Sequence, residues 1–397
     1  MSPAKAPIGP RVILTPPRLF GAGEATAATS NSAVRMCYHF FHAASANTTR
    51  KFREMLLAHG ARLTRTRGLT RAKVSSSLPH KRHALHVAAL QLSVGPDPTD
   101  NLGRAEALID EAALAGASLV GLPECFVGSY GTANFHKWAE RVPRSLAEAT
   151  GSGGAAMLCR SAAAHRITAM GGVVEEEVEE VDVAAPPSGQ TTARLYNTTV
   201  VYGPDGDLVA RYRKIHLSRV LGITSESDVF SAGAAPTTFR AALPPTQAAA
   251  WAAASPPTGK SDDGSRGGTP HVGLLCCFDL RFSGILRQYT PSGSHGQCDL
   301  LFAPSAFLDA TGVDHWDLLV RRAALDTQTF VVAPNVAYRH DDPTPLHGRS
   351  LICDPWGRIV AQCGAEGDAV VLAEVEPRVL AETRAKLPIF ELAHRFE

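Results

Sequence analysis

His271-Val-Gly-Leu-Leu-Cys-Cys-Phe-Asp-Leu280, followed at once by Arg281-Phe282, decides the fold. The apolar run has the length of a buried strand. It stops at a cysteine pair, and an acid and a base follow. A strand that delivers a thiol into a sharp polar turn is how an α/β fold presents a nucleophile. Alone, the segment reads equally as a buried strand with two core cysteines, because free Cys is among the most buried residue types. Two other segments tip the reading. Leu122-Pro-Glu-Cys-Phe126 lies upstream, and Tyr212-Arg-Lys-Ile-His-Leu217 lies between. Each places a charged residue just past a strand-like apolar run. Glu124, Lys214 and Cys277 together make a consistent catalytic set.

The chain around these segments alternates buried strands with amphipathic helices. Residues 84–94 read as a strand with little polarity, suited to burial between layers. Thr99-Asp100 offers a helix N-cap, and Leu102, Ala105, Leu108, Ile109 and Ala112 share one helix face. Gly116 ends that helix. Residues 118–122 are the next strand, stopped by Pro123. Helix-like sequence over 145–165, interrupted near 151–154, leads to a strand at 167–174. This alternation argues α/β. Gly203-Pro-Asp-Gly206 and Asp354-Pro-Trp-Gly357 are hairpin signals. The pattern fits two sheets packed together with helices outside. Three stretches break it: 175–192, 241–270 and 289–297 read as surface insertions. The middle one directly precedes the nucleophile strand, where it serves either as a cover or as an inert loop.

Composition narrows the function. The 397 residues are 45% hydrophobic, ample for a large core, and the formal net charge is +1. No nucleic-acid partner is expected from that balance. The eight cysteines lack the spacing of a small disulfide-bonded domain and read as buried thiols in a reducing compartment. No Cys-x-x-Cys or His-Glu-x-x-His motif points to a metal. The glycines near 151–154 lack phosphate-loop spacing. No apolar run is long enough to span a bilayer, so no membrane partner is expected. Residues 1–83 differ from the rest: their only acids are Glu24 and Glu54, while Arg, Lys, Ser and Ala recur. Such a leader reads as an organellar, for instance mitochondrial, transit segment, or as a disordered basic extension without an address. Without it the expected location is cytoplasmic.

The motifs carry a resemblance. Leu122-Pro-Glu-Cys-Phe126, Arg213-Lys-Ile-His-Leu217 and Cys277-Phe-Asp-Leu-Arg-Phe282 resemble the glutamate, lysine and cysteine motifs of the nitrilase-like carbon–nitrogen hydrolases. The similarity runs from about residue 84 to about 392. It takes in Leu195-Tyr-Asn-Thr, His315-Trp316, Arg321-Arg322-Ala323, His347-Gly-Arg-Ser350 and Asp354-Pro-Trp-Gly357. Tyr130-Gly131, Val142-Pro143 and the Ala306-Phe307 … His315-Trp316 stretch look most like the omega-amidase branch. There are departures: Phe278 stands where Tyr is usual, Cys276 where Ile or Val is usual, and Ser283-Gly284 where Pro-Glu is common.

The resemblance implies a four-layer α-β-β-α sandwich, a Glu–Lys–Cys triad and no cofactor. It implies hydrolysis of a small-molecule amide, 2-oxoglutaramate or 2-oxosuccinamate, and so a place in glutamine and asparagine metabolism. A homo-oligomer, dimer or larger, is expected on the same ground. Amidase action on deaminated glutathione, hydrolysis of carbamoyl amines, nitrilase action and an inactive interaction scaffold are the alternatives. Cys277 is the implied nucleophile, Glu124 the proton carrier and Lys214 the charge stabiliser. Glu226 stands where the family carries a second glutamate. In a regular strand adjacent side chains face opposite ways, so only one of Cys276 and Cys277 reaches the pocket. Register against Phe278-Asp-Leu-Arg281 chooses Cys277. Phe278 supplies a backbone N–H for an oxyanion. Arg281 either anchors a substrate carboxylate or makes a structural salt bridge with Asp279, and Arg321 or Arg322 could equally serve. Phe307 and Trp316 are candidate apolar walls.

Overall fold

Two mixed sheets result from the alternation. The computed structural model describes residues 13–14, 85–178, 193–220, 224–254, 268–342 and 344–392. The first sheet holds β1 (Ile13–Leu14), β2 (Leu85–Gln91), β3 (Leu119–Gly121), β4 (Ala139–Glu140), β5 (Thr168–Val178), β6 (Ala193–Tyr202) and β7 (Leu208–Arg213). A short ribbon follows, β8 (Arg219–Val220) with β9 (Thr224–Ser225). The second sheet runs in chain order: β10 (Thr237–Arg240), β11 (His271–Leu274), β12 (Leu300–Phe302), β13 (Phe330–Ala333), β14 (Leu351–Cys353) and β15 (Ile359–Gln362). β16 (Ala369–Val375) returns to the first sheet, whose order is β1-β16-β2-β3-β5-β6-β7 with β4 beside β5. β2–β3–β5 and β11–β12–β13 are the parallel centres of the two sheets.

Parallel strands need crossovers, and helices supply them. The crossovers contain α1 (Pro98–Leu114), α2 (Gly154–His165), α4 (Ser283–Arg287) and α5 (Asp309–Thr327); α3 (Pro245–Ala254) lies between β10 and β11, and α6 (Pro377–Lys386) and the short α7 (Ile389–Leu392) follow β16. One face of the first sheet, with Ala88, Leu90, Val120 and Val200, packs on Ala105, Ile109 and Ala112 of α1 and Leu158 of α2. Its other face, with Val87, Ala89, Leu119, Met170 and Tyr212, meets Val272, Leu274, Leu300 and Phe302 of the second sheet. Ile285 of α4 and Trp316, Val320 and Ala323 of α5 continue that core. The expected α-β-β-α sandwich is what forms.

Several boundaries differ from expectation. α1 starts earlier, capped by Asp97, whose carboxylate accepts Thr99 N–H at 2.9 Å; Pro98 follows at the first helical position, where its missing N–H costs nothing. Helix over 145–165 is confined to α2, because Gly151–Gly154 breaks the earlier part. Residues 175–178 are not an insertion. They extend β5, and Glu175 is buried under Arg211, Arg213 and Thr198. Within 241–270, Pro245–Ala254 is helical, as an alanine run favours, with Trp251 buried. Tyr289 opens the third stretch fully buried, its hydroxyl bonded to Leu274 O. Residues 179–192 and 255–267 lie outside the described residues. So does the leader, apart from Ile13–Leu14, which pair with Leu372 and Val371 of β16. Among the described residues no helix is long and apolar enough to cross a membrane.

Candidate active site

Three strand ends converge between the sheets. β3 stops at Gly121, and the turn through Pro123 places Glu124. That turn rests on β5, where Gly172 N–H donates to Pro123 O at 3.0 Å. A Cβ on Gly172 would lie 2.6 Å from Glu124 Cα, so glycine is required by close approach. Lys214 is the residue after β7, tied by its own N–H to Asn197 O and by its carbonyl to Gly233 N–H, both at 2.8 Å. Glu226 opens a one-turn 3-10 helix after β9.

Glu124, Lys214 and Glu226 are all fully buried. Lys214 Nζ lies 2.7 Å from Glu124 Oε1 and 2.8 Å from Glu226 Oε2. Asn197 Nδ2 donates to Glu124 Oε1 at 2.7 Å and to Glu226 Oε1 at 3.0 Å, closing a ring. Tyr130 hydroxyl and Ser218 N–H hold Glu226 at 2.9 and 2.6 Å. Ala306 N–H holds Glu124 Oε2 at 2.7 Å. Two carboxylates around one ammonium leave the ring with a formal charge of −1.

The thiols enter from the second sheet. Leu275 N–H still donates to Phe302 O, and Cys277 N–H donates to Pro304 O. Cys277 then turns to φ +45°, a left-handed value that a non-glycine residue adopts under strain, and starts the 3-10 turn Cys277–Arg281. The strand is therefore not regular here, and alternation does not put the two thiols on opposite faces. Cys276 Sγ is 3.3 Å from Glu124 Oε1 and 3.7 Å from Asn197 Oδ1, while the Cys277 thiol is close enough to Glu124 to feel its charge.

Electrostatics set the resting protonation. Burial disfavours the Glu124 anion, but Lys214, Asn197 and the Ala306 N–H outweigh it and hold the carboxyl below its usual range. Burial also disfavours the Lys214 ammonium, yet Glu124 and Glu226 keep it charged. Burial and the Glu124 anion push both Cys277 and Cys276 well above the ordinary thiol range, against the pull of Lys214. A thiol thus faces an ionised carboxylate beside a fixed cation. That arrangement can pass a proton from sulfur to oxygen as sulfur attacks an electrophile.

Asp279 is not the partner of Arg281. It is fully buried and accepts from Tyr212 hydroxyl at 2.6 Å, Cys276 N–H at 2.9 Å, and His216 N–H and Nδ1 at 3.1 and 2.7 Å. It locks the cysteine turn to the lysine motif. Arg281 instead reaches α5, with Nη1 3.1 Å from His315 Nδ1 and Nη2 3.3 Å from Thr311 Oγ1. Its charge centre lies 5.5 Å from the Phe278 ring centroid and 5.1 Å from that of Phe307. Its Nε is buried without a hydrogen-bond partner. Burial lowers the guanidinium's pKa, against the opposite pull of Cys277 at the start of the same turn.

The other candidates sort plainly. Phe307 is buried, with its ring 5.3 Å from that of Trp316. Trp316 is itself fully buried, its Nε1–H spent on Arg349 O. Arg321 and Arg322 do not serve: Arg321 Nε donates to Gly357 O and Arg322 Nε to Asp326. Asn197, Tyr130 and the Ala306 N–H were not legible as site residues. Asn197 and Tyr130 sit inside recognisable motifs, but their partners are remote in sequence. A surface cavity of about 480 Å³, lined by Asp309, Asp317, His347 and Arg349 among others, contains none of the Glu124 ring. Among the described residues no group of three or more His, Cys, Asp or Glu is placed to hold a metal ion.

A buried carboxylate–ammonium pair facing a thiol, between the sheets of a four-layer sandwich, defines a class of thiol hydrolases. The chain belongs to the carbon-nitrogen hydrolase family, whose model matches residues 86–385. It is similar to an omega-amidase of Homo sapiens, 33% identical over 313 residues covering 77% of this chain and 94% of that one. It is also similar to an omega-amidase of Xenopus laevis, 34% identical over 309 residues covering 76% and 92%. The solved Saccharomyces cerevisiae Nit3, a member of branch 10 of the nitrilase superfamily, superposes with a TM-score of 0.58 at 27% identity, covering 77% of this chain and 95% of that one. The protein is a hydrolase of carbon–nitrogen bonds other than peptide bonds.

Proposed function

We propose that the protein is an omega-amidase-type thiol amidohydrolase, releasing ammonia from 2-oxoglutaramate or 2-oxosuccinamate to leave the dicarboxylic 2-oxo acid. The observation that carries this reading is Arg281: a guanidinium with no carboxylate partner among the described residues, an orphaned buried Nε, and a place in the same 3-10 turn as Cys277. A substrate with a carboxylate at one end and an amide at the other satisfies both. A buried unpaired donor costs about 1–3 kcal/mol, which a bound carboxylate would recover.

In this mechanism Glu124 takes the Cys277 proton as sulfur attacks the amide carbon. Oε1 already receives Lys214, Asn197 and Cys276, so Oε2, with one donor, is the oxygen left for it. Lys214 and the Phe278 N–H stabilise the tetrahedral oxyanion. Glu124 returns the proton to nitrogen, the C–N bond breaks and ammonia leaves a thioester. Water, deprotonated by Glu124, attacks that carbon; the C–S bond breaks and the thiol regains its proton. Glu226 holds Lys214 throughout.

The test is ammonia release by purified protein from 2-oxosuccinamate and 2-oxoglutaramate, against deaminated glutathione, carbamoyl amines and simple nitriles. Preference for either ketoacid amide is expected. Preference for another class moves the assignment to that branch, and no turnover of any would favour the scaffold alternative.

A further inference from the structure

The structure assigns His315 and Thr311 as the residues that determine carboxylate specificity by aiming Arg281. This rests on the functional reading above. They lie four residues apart on α5, so they stand on one helix face. Each takes one terminal nitrogen of the guanidinium: Nη1 goes to His315 Nδ1 and Nη2 to Thr311 Oγ1. A guanidinium offers five N–H donors in a rigid plane. With the two terminal nitrogens anchored on α5, the free edge is the one that carries Nε–H, the atom left buried and unpartnered. The Phe278 and Phe307 rings lie within cation–π range of the charge centre and restrict its plane. An arginine on a flexible stem would otherwise lose rotamer entropy on binding. Here that cost is met before the ligand arrives.

The hydrogen bond also defines the imidazole. A guanidinium only donates, so His315 Nδ1 is the acceptor in this contact. Thr311 hydroxyl accepts from Arg281 and donates to Leu308 O at 3.4 Å, which fixes its lone pairs toward the arginine. The ligand class that completes this subsite is a planar monoanion that can take a side-on bidentate pair, namely the distal carboxylate of a dicarboxylic acid monoamide. An uncharged amide of equal length leaves Nε orphaned.

The full chain can be assayed with succinamate and with butyramide, its uncharged match in length. His315→Leu is expected to raise the KM for succinamate more than it lowers kcat, and to cut the kcat/KM ratio of succinamate over butyramide by about tenfold or more. His315→Gln, which restores an acceptor, is expected to recover much of that ratio. Thr311→Val is expected to act in the same direction with smaller effect, and carries the test if His315→Leu does not fold. An unchanged ratio in both the His315→Leu and Thr311→Val proteins, or equal losses on the two substrates, overturns the assignment. Arg281→Gln separates it from the reading beneath it. If Arg281→Gln keeps the succinamate preference, the carboxylate does not bind at Arg281 and both fall. If Arg281→Gln loses the preference while the α5 variants keep it, only the role of His315 and Thr311 falls.

Discussion

Two thiols share one carboxylate, and they are not equivalent. Cys277 sits at the strained φ and keeps a small exposure, whereas Cys276 is sealed in the core. Cys277→Ser is expected to lower kcat by at least about a thousandfold with the fold retained. Cys276→Ala should keep substantial turnover. It removes a donor from the Glu124 anion, so the Glu124 pKa rises and the acid limb of the pH–kcat/KM profile moves to higher pH. A thioester trapped on Cys276 by mass spectrometry would falsify the choice of nucleophile. At this scale the sequence shows types well and directions poorly. Glu124, Lys214, Glu226 and Cys277 meet as expected, because each follows a strand whose end is marked by Pro, by charge or by a turn. Strand alternation does not separate Cys276 from Cys277, because Cys277 lies three residues past the end of β11 and has already turned to a left-handed φ. Arg321 and Arg322 misled because helix position alone does not say which neighbour a long side chain will find.

Among the elements, β5 most directly supports the chemistry. The Glu124 turn lies on its glycines, with no room for a methyl group at 172. Gly172→Ala is expected to cost about 1–3 kcal/mol in unfolding free energy by overpacking. Displacing Glu124 by even one ångström should also cut kcat by about a hundredfold. Wild-type turnover in that variant would show that the turn is not held by the strand. A second element sets a pH dependence. Glu140 of β4 accepts the Gly154 and Ala155 N–H groups that open α2, and burial pushes its carboxyl up to about 7 despite those donors. The folded state therefore holds this proton more tightly than the unfolded one, so stability is lost as pH rises from the ordinary carboxylate range toward 7. Thermal unfolding at pH 5 and pH 8 should show a smaller difference in Glu140→Gln than in the wild type. No surface pattern announces this contact, since Glu140 and α2 are joined through a glycine-rich turn that reads only as a break.

For the whole molecule, the layered fold was legible from strand and helix periodicity, and the bounds of the stretches that read as insertions were not. The acidic run at 175–178 resembles a solvated loop because its arginine partners lie on β7, more than thirty residues on. The leader remains an expectation on two counts. A protein beginning near His83 should fold and turn over substrate, since among the described residues it loses the two-residue pairing of β1 with β16 and nothing else. An insoluble truncation would place the segment in the domain, and a diffuse cytosolic signal from a leader–reporter fusion would remove the organellar address. The expected homo-oligomer has an apolar face to use: Leu318 and Leu325 are exposed one heptad apart on α5, and Trp356 is exposed beside Gly357, which lies against Leu325. Light scattering on wild type and Leu318→Glu tests this, and a monomeric wild type at micromolar concentration ends the expectation.

The position of β16 has a consequence for synthesis. It is the last strand among the described residues, yet it lies next to β2 through seven paired residues from Ala369 to Val375. While the ribosome is still short of Ala369, the row of N–H and C=O groups along β2 stays open to other chains. Cys277, Glu124 and Lys214 have all been made by then, but the sheet that frames them has a missing plank. The nascent chain, with that edge unpaired, is the species most in need of a chaperone.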